Sequence, residues 1–206
     1  MRIAVIDYGI GNLHSAHKAL VAVGADATLV DAPLAVRSAD AVVLPGVGNF
    51  GACMRALRER GLDSAVHDAV RSGRPFLGIC VGMQMLFEAS AESPGEAGLG
   101  ILGGTVEWLP ESVKRPQMQW NRLDVVGDDA VLGASGTWVY FVHSLAAVPT
   151  DTSTIVATVD YGGPIVAACR HDNVTAMQFH PEKSGDAGLA LLGRWVRSAE
   201  ERLDDR

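Results

Sequence analysis

Two textures divide the chain. In its first half, short unbroken apolar runs alternate with stretches whose apolar residues recur at helical spacing. Residues 3–6, 27–30, 40–44 and 76–79 read as buried strands, and residues 13–23, a run ending at Arg60, residues 63–72 and residues 81–89 read as helices. This alternation predicts an α/β fold, a parallel sheet with helices on its faces. From Thr105 onward short β-like runs dominate, at 105–109, 122–126, 138–142, 155–159, 165–169 and 175–179, each bounded by turn residues. They predict antiparallel strands added to the sheet in the C-terminal half. Residues 90–104, rich in Gly, Ser and Glu, read as a surface loop, and residues 189–203 as an amphipathic closing helix before the polar tail Asp204-Asp205-Arg206. No shift in composition marks a second unit, so one domain over residues 1–206 is expected, with its core over about 1–196.

Composition narrows the function. A net charge of -7 argues against nucleic acid as a partner, because phosphate binding needs a basic surface. No apolar run reaches the roughly 18 residues that cross a bilayer, so no membrane partner is expected. The opening Met1-Arg2-Ile3-Ala4-Val5-Ile6 reads as a first strand rather than a targeting segment. The 3 cysteines share no pairing or metal-ligand spacing, which points to a reducing, cytoplasmic setting and to no metal. Gly9-x-Gly11 lacks the third glycine of a dinucleotide fingerprint, since His14 stands there, and no cofactor is expected.

The strongest chemistry lies in Gly78-x-Cys80-x-Gly82, at the junction of a predicted strand and helix. This is the cysteine counterpart of a nucleophile elbow, whose sharp turn strains the central residue and tolerates only small neighbours. The thiol would stand at the top of the sheet beside a helix N-terminus, where partial positive charge favours thiolate. A lone cysteine in a strand is more often a buried apolar residue; the paired glycines distinguish this one. A cysteine nucleophile needs a base, and the base needs a carboxylate to orient it. His180 and Glu182 are two apart, and Pro181 between them blocks helix formation. The glycine-rich Pro45-Gly46-Val47-Gly48 follows the third strand, where its uncovered N–H groups could form an oxyanion hole. Cys53, on the next helix, reads as a packing residue.

These residues carry a resemblance. Gly78-Ile79-Cys80-Val81-Gly82-Met83-Gln84, with Gln178-Phe179-His180-Pro181-Glu182, resembles the class I (triad) glutamine amidotransferases. Within them, Asp7-Tyr8-Gly9-x-Gly11-Asn12-Leu13, Leu44-Pro45-Gly46-Val47-Gly48, Tyr140-Phe141-Val142-His143-Ser144 and His180-Pro181-Glu182-Lys183-Ser184 look like the glutaminase subunits of imidazole glycerol phosphate synthases. The resemblance implies a flavodoxin-like fold, mostly parallel, and hydrolysis of L-glutamine to glutamate and ammonia through a Cys80 thioester. His180 would be the base and Glu182 would orient it. The backbone of Gly46, Val47, Gly48 and Val81 would form the oxyanion hole. Gln84, Glu92, His143 and Ser144 match glutamine-binding positions. Ammonia would pass to a (β/α)8-barrel cyclase subunit of histidine biosynthesis, with Asn12, Trp120, Tyr140 and Lys183 at that interface.

One stretch departs from the family pattern. The usual Pro-His-Met-Gly-Trp-Asn reads Pro116-Gln117-Met118-Gln119-Trp120-Asn121 here, and Leu145 stands where an aromatic residue often follows Val-His-Ser. A non-glycine at 119 matters if the backbone there has positive φ or lies close to the partner. The departure also suits an alternative, a paralogous glutaminase that serves another acceptor in polysaccharide or secondary-metabolite synthesis. Chaperones and peptidases that share a cysteine elbow give no reason for Gln84 together with His-Pro-Glu.

Overall fold

The computed structural model describes residues 1–11 and 13–204. In chain order its first strands are β1 (Arg2–Ile6), β2 (Asp26–Val30), β3 (Ala41–Gly46), β4 (Phe76–Cys80), β5 (Ala89–Ser90), β6 (Gly104–Trp108) and β7 (Gln117–Arg122). They are followed by β8 (Asp124–Val125), β9 (Trp138–His143), β10 (Leu145–Pro149), β11 (Ile155–Asp160), β12 (Pro164–His171) and β13 (Val174–Met177). The helices are α1 (Leu13–Ala22), α2 (Pro33–Ser38), α3 (Phe50–Glu59), α4 (Leu62–Arg71), α5 (Val81–Gln84) and α6 (Gly185–Asp204).

The main sheet has 8 strands in the order β2-β1-β3-β4-β13-β12-β11-β8. Strands β2 to β13 in that order run parallel, and β12, β11 and β8 continue antiparallel, as the change of texture predicts. β3, β4 and β13 are buried at every position, which is why they read as continuous apolar runs rather than alternating ones. Helices cover the sheet in two groups, α1 with α6 and α4 with α2 and α3. The register matters for chemistry. Gly46 lies opposite Cys80 and Met177 opposite Ile79, so the carboxyl ends of β3, β4 and β13 deliver the glycine loop, the elbow and the His180 turn to one edge of the sheet.

Three expectations are corrected. The helix expected over 81–89 stops at Gln84, after a single turn. Beyond it the backbone finds partners far along the chain: Leu99 N donates to Met85 O, Ile101 N to Leu86 O, Gly100 N to Phe87 O and Gly98 N to Glu88 O. Those carbonyls are therefore unavailable to a growing helix. The same bonds draw the segment after residue 90 inward, and Leu99 and Leu102 join the core rather than lying in a surface loop. Lastly, the run at 122–126 is not one strand. β7 ends at Arg122 and pairs with β9 as a separate two-stranded ribbon, while β8 joins the main sheet and β6 pairs with β10 and β5 in a small sheet of its own.

Candidate active site

Cys80 ends β4 with φ 55 and ψ -113, one of 2 non-glycine positive φ values among the described residues. Backbone in this region is costly for a residue with a Cβ and persists only where its surroundings enforce it. Gly82 supplies the enforcement. A Cβ at Gly82 would lie 1.9 Å from the carbonyl oxygen of Leu44, so the turn after Cys80 is pressed directly onto β3. The short α5 is too brief to carry much of a helix dipole, which weakens the electrostatic argument for a thiolate. It still leaves the Val81 N–H among first-turn donors that no helical carbonyl meets.

His180 follows β13 and caps a 3₁₀ turn at Pro181–Lys183. Its Nδ1 donates to Glu182 Oε1 at 2.7 Å, and both side chains are almost wholly buried. Nδ1 so occupied, the other ring nitrogen is the one free to serve the Cys80 sulfur. Burial pulls the His180 pKa down, but side-chain contacts with Cys80 and Glu182 more than offset it and lift the pKa to about 9. The turn is held from β9. Tyr140 N donates to Ser184 Oγ at 3.0 Å, Ser184 Oγ donates to the His180 carbonyl at 2.7 Å, and His180 N donates to the Tyr140 carbonyl at 3.0 Å.

Cys80, Val81, Gln84, Glu92, His143, Ser144, His180 and Lys183 line one cleft of about 400 Å³ together with Val47 and Gly48. That size suits an amino acid. A larger, shallower depression of about 1070 Å³ opens at the other end of β4, around His67, Arg71 and His171, with no cysteine in its walls. Glu92 has a second task, since its Oε2 accepts from Phe50 N at 2.7 Å and so caps α3. Gly46 lies just behind, opposite Cys80 in the ladder. Gly48 has φ +87, yet a Cβ there would meet nothing within 4 Å, so conformation and not space requires glycine. Trp120 stacks edge-on against Tyr140 at 6.0 Å, on a ribbon that also exposes Met118 and Trp138. Asn12 lies outside the described residues. Gln119 does not have positive φ, so the missing glycine strains nothing within the chain.

The Glutamine amidotransferase class-I family matches residues 4–196. The chain is 48% identical to the imidazole glycerol phosphate synthase subunit HisH of Aquifex aeolicus, over 98% of this chain and 99% of that one. It is 49% identical to the subunit of the same name from Cyanothece sp., over 94% of each. The chain belongs to the class-I glutamine amidotransferases, in the HisH family. A crystal structure of a glutamine amidotransferase superposes with TM-score 0.77 at 23% identity, covering 98% of both chains, and supports the fold.

Beyond the expected positions, the site of this amidotransferase contains a row of buried amides. Gln178 Nε2 donates to the Cys80 sulfur at 3.8 Å, and Gln84 Nε2 donates to Gln178 Oε1 at 3.0 Å and to the Leu145 carbonyl at 3.1 Å. His143 Nδ1 meets the same carbonyl at 2.7 Å, and its Nε2 lies 2.9 Å from the Gln117 amide. Burial pushes the His143 pKa down to about 4, the Leu145 hydrogen bond opposing it and nearby His180 adding to it. Gln178 stands in the motif that carries the family resemblance and Gln117 in the stretch that departs from it, but neither was singled out as a site residue, although Gln178 is a polar residue in an apolar strand run, a signal that such a group has a dedicated partner. Cys53 packs in the core as expected, and its thiol also donates to the Val47 carbonyl at 3.3 Å.

Proposed function

We propose that the chain is the glutaminase subunit of an imidazole glycerol phosphate synthase, with Cys80 as nucleophile, His180 as base and Glu182 orienting it. The observation that carries this reading is the buried 2.7 Å contact of His180 with Glu182, His180 sharing one cleft with the Cys80 elbow. The Cys80 sulfur attacks the side-chain carbonyl carbon of glutamine and its proton passes to His180. The C=O π pair moves to oxygen, where N–H groups of Val81 and the Gly46 to Gly48 backbone receive it. Collapse re-forms the carbonyl and breaks the C–N bond, the leaving nitrogen takes the proton from His180, and ammonia departs from a glutamyl thioester. Water, deprotonated by His180, then hydrolyses the thioester to glutamate and restores the thiol.

Gln84, Glu92, His143 and Ser144 stand around the space that glutamine would occupy. The exposed Met118, Trp120 and Trp138 on the β7–β9 ribbon, with Lys183 beside the cleft, support a protein partner there, a (β/α)8-barrel cyclase that receives the ammonia. No described helix is long and apolar enough to cross a membrane, and a cytoplasmic biosynthetic role is the setting in which this reading places the chain. The test is glutamine turnover by the chain alone and with a barrel cyclase co-expressed. Slow turnover alone, raised by the partner and further by a ribulosyl phosphate nucleotide, is expected. Full activity without a partner, or failure of glutamine to protect Cys80 from a glutamine-mimicking electrophile, rejects the reading.

A further inference from the structure

Two buried side chains grip the glycine loop from behind. Tyr8 Oη donates to the Pro45 carbonyl at 2.9 Å, and Cys53 Sγ donates to the Val47 carbonyl at 3.3 Å. Tyr8 and Cys53 are 1% and 0% exposed and touch each other. Burial raises both pKa values, so each keeps the proton that it donates. The anchored carbonyls flank one peptide unit, that between Gly46 and Val47. Tyr8 also packs onto that unit, its oxygen 2.9 Å from the place a Cβ of Gly46 would take.

The consequence follows from peptide geometry. The Val47–Gly48 peptide is trans, so its C=O and N–H point in opposite directions. With the Val47 oxygen turned to Cys53, on the buried side, the Gly48 N–H is turned away from it. Val47 and Gly48 line the cleft with Cys80, whereas Cys53 does not. A carbonyl swung into the cleft would oppose negative charge there, and an N–H would stabilise it.

We infer that Cys53 and Tyr8 are positioning residues that clamp the Val47 and Pro45 carbonyls on the buried side of the loop and thereby hold the Gly48 N–H ready for an oxyanion. The clamp confines any turning of the loop to the Gly46–Val47 peptide. Neither side chain touches substrate. This inference rests on the glutaminase reading and deepens it.

The experiment compares wild type, Cys53→Ala, Cys53→Ser and Tyr8→Phe, each in complex with the cyclase partner. It measures kcat and KM for glutamine hydrolysis and inhibition by an aldehyde analogue of glutamine. With that analogue the sulfur adds to the aldehyde carbon, the C=O pair moves to oxygen, and the thiol proton passes to His180, so its affinity reports oxyanion stabilisation. Cys53→Ala is expected to lower kcat about tenfold with KM nearly unchanged, and to weaken the aldehyde by a similar factor, as a small misplacement of the donors requires. Tyr8→Phe should act in the same direction. Cys53→Ser, whose hydroxyl can donate to the same carbonyl, should recover most of the activity and guards against a folding defect. A Cys53→Ala kcat that is unchanged or raised, a loss confined to KM, or a serine variant as impaired as the alanine one overturns the clamp. If wild type itself neither turns over glutamine nor shows glutamine protection of Cys80, the glutaminase reading fails and takes the clamp with it.

Discussion

Gln117 lies opposite His143 in the β7–β9 ladder, and their side chains meet at 2.9 Å in full burial. His143 donates from Nδ1 to the Leu145 carbonyl, and with its pKa near 4 it is neutral at pH 7, so Nε2 is an acceptor. The matching donor is the Gln117 NH2. A half-turn of the amide that sets its nitrogen on the ring also gives that nitrogen the partner it otherwise lacks. Gln117→Leu strands an imidazole nitrogen in the interior and should cost about 1–3 kcal/mol. Chemical denaturation of the variant checks this; Gln117→His, the residue common in the family pattern, is expected to retain most of the stability.

Gly82 admits no side chain. With a Cβ placed 1.9 Å from Leu44 O, Gly82→Ala must push β4 off β3 at the elbow, and the protein is expected to fold poorly or to lose turnover altogether. Gly78→Ala meets the Leu86 side chain and the Gly82 carbonyl at 3.0 Å and the Met83 Cα at 3.1 Å, a milder crowding that requires the elbow to give by only a few tenths of an ångström. Soluble yield and thermal midpoint should therefore rank wild type above Gly78→Ala above Gly82→Ala.

Glu182 bears directly on the His180 ring. Removing its charge by Glu182→Gln takes away one of the two contacts that raise the His180 pKa to about 9, so burial gains ground and the pKa falls. Turnover should drop about a hundredfold to ten-thousandfold, in the range typical of an oriented acid–base group. NMR titration of the imidazole, run beside the kinetics, is the direct check: an unmoved His180 pKa would show that the contact does not tune the ring.

The two buried histidines give opposite pH dependences. His143 has a folded pKa of about 4, below the ordinary 6.5, so the unfolded chain binds the extra proton between these values and stability is lost as pH falls through that window. His180 has a folded pKa of about 9, so its contribution is complete below 6.5 and is lost as pH rises towards 9. Each contributes on the order of 3 kcal/mol at most. Urea midpoints measured from pH 4 to pH 9 should peak near 6.5, and His143→Gln should flatten the acid side alone.

Much of this was readable from the sequence where local signals agree with the final packing. β1 to β4, α1, α3, α4 and α6 lie where apolar periodicity places them. The Cys80 elbow and the spacing of His180 and Glu182 are local, and the structure brings Cys80 and His180 to one cleft with Glu182 held against the His180 ring. What was missed depends on contacts remote in sequence. The early end of α5 is set by carbonyls of residues 85–88 that bond to the chain near residue 100, and nothing within the helix itself announces this. β10 pairs with β6 across some forty residues, and α2 has only 6, too few for a periodic signal. The bond from Cys53 to the Val47 carbonyl closes a turn of backbone whose course no residue pattern records.

One further consequence belongs to Gln178. The protein keeps a carboxamide of its own 3.8 Å from its sulfur, the same functional group that a glutaminase destroys. That amide presents its nitrogen to the sulfur rather than an open carbonyl face, and Gln84 fastens its oxygen in place. With its nitrogen toward the sulfur and its oxygen held by Gln84, the chain's own glutamine is set apart from a free one by pose rather than by chemistry.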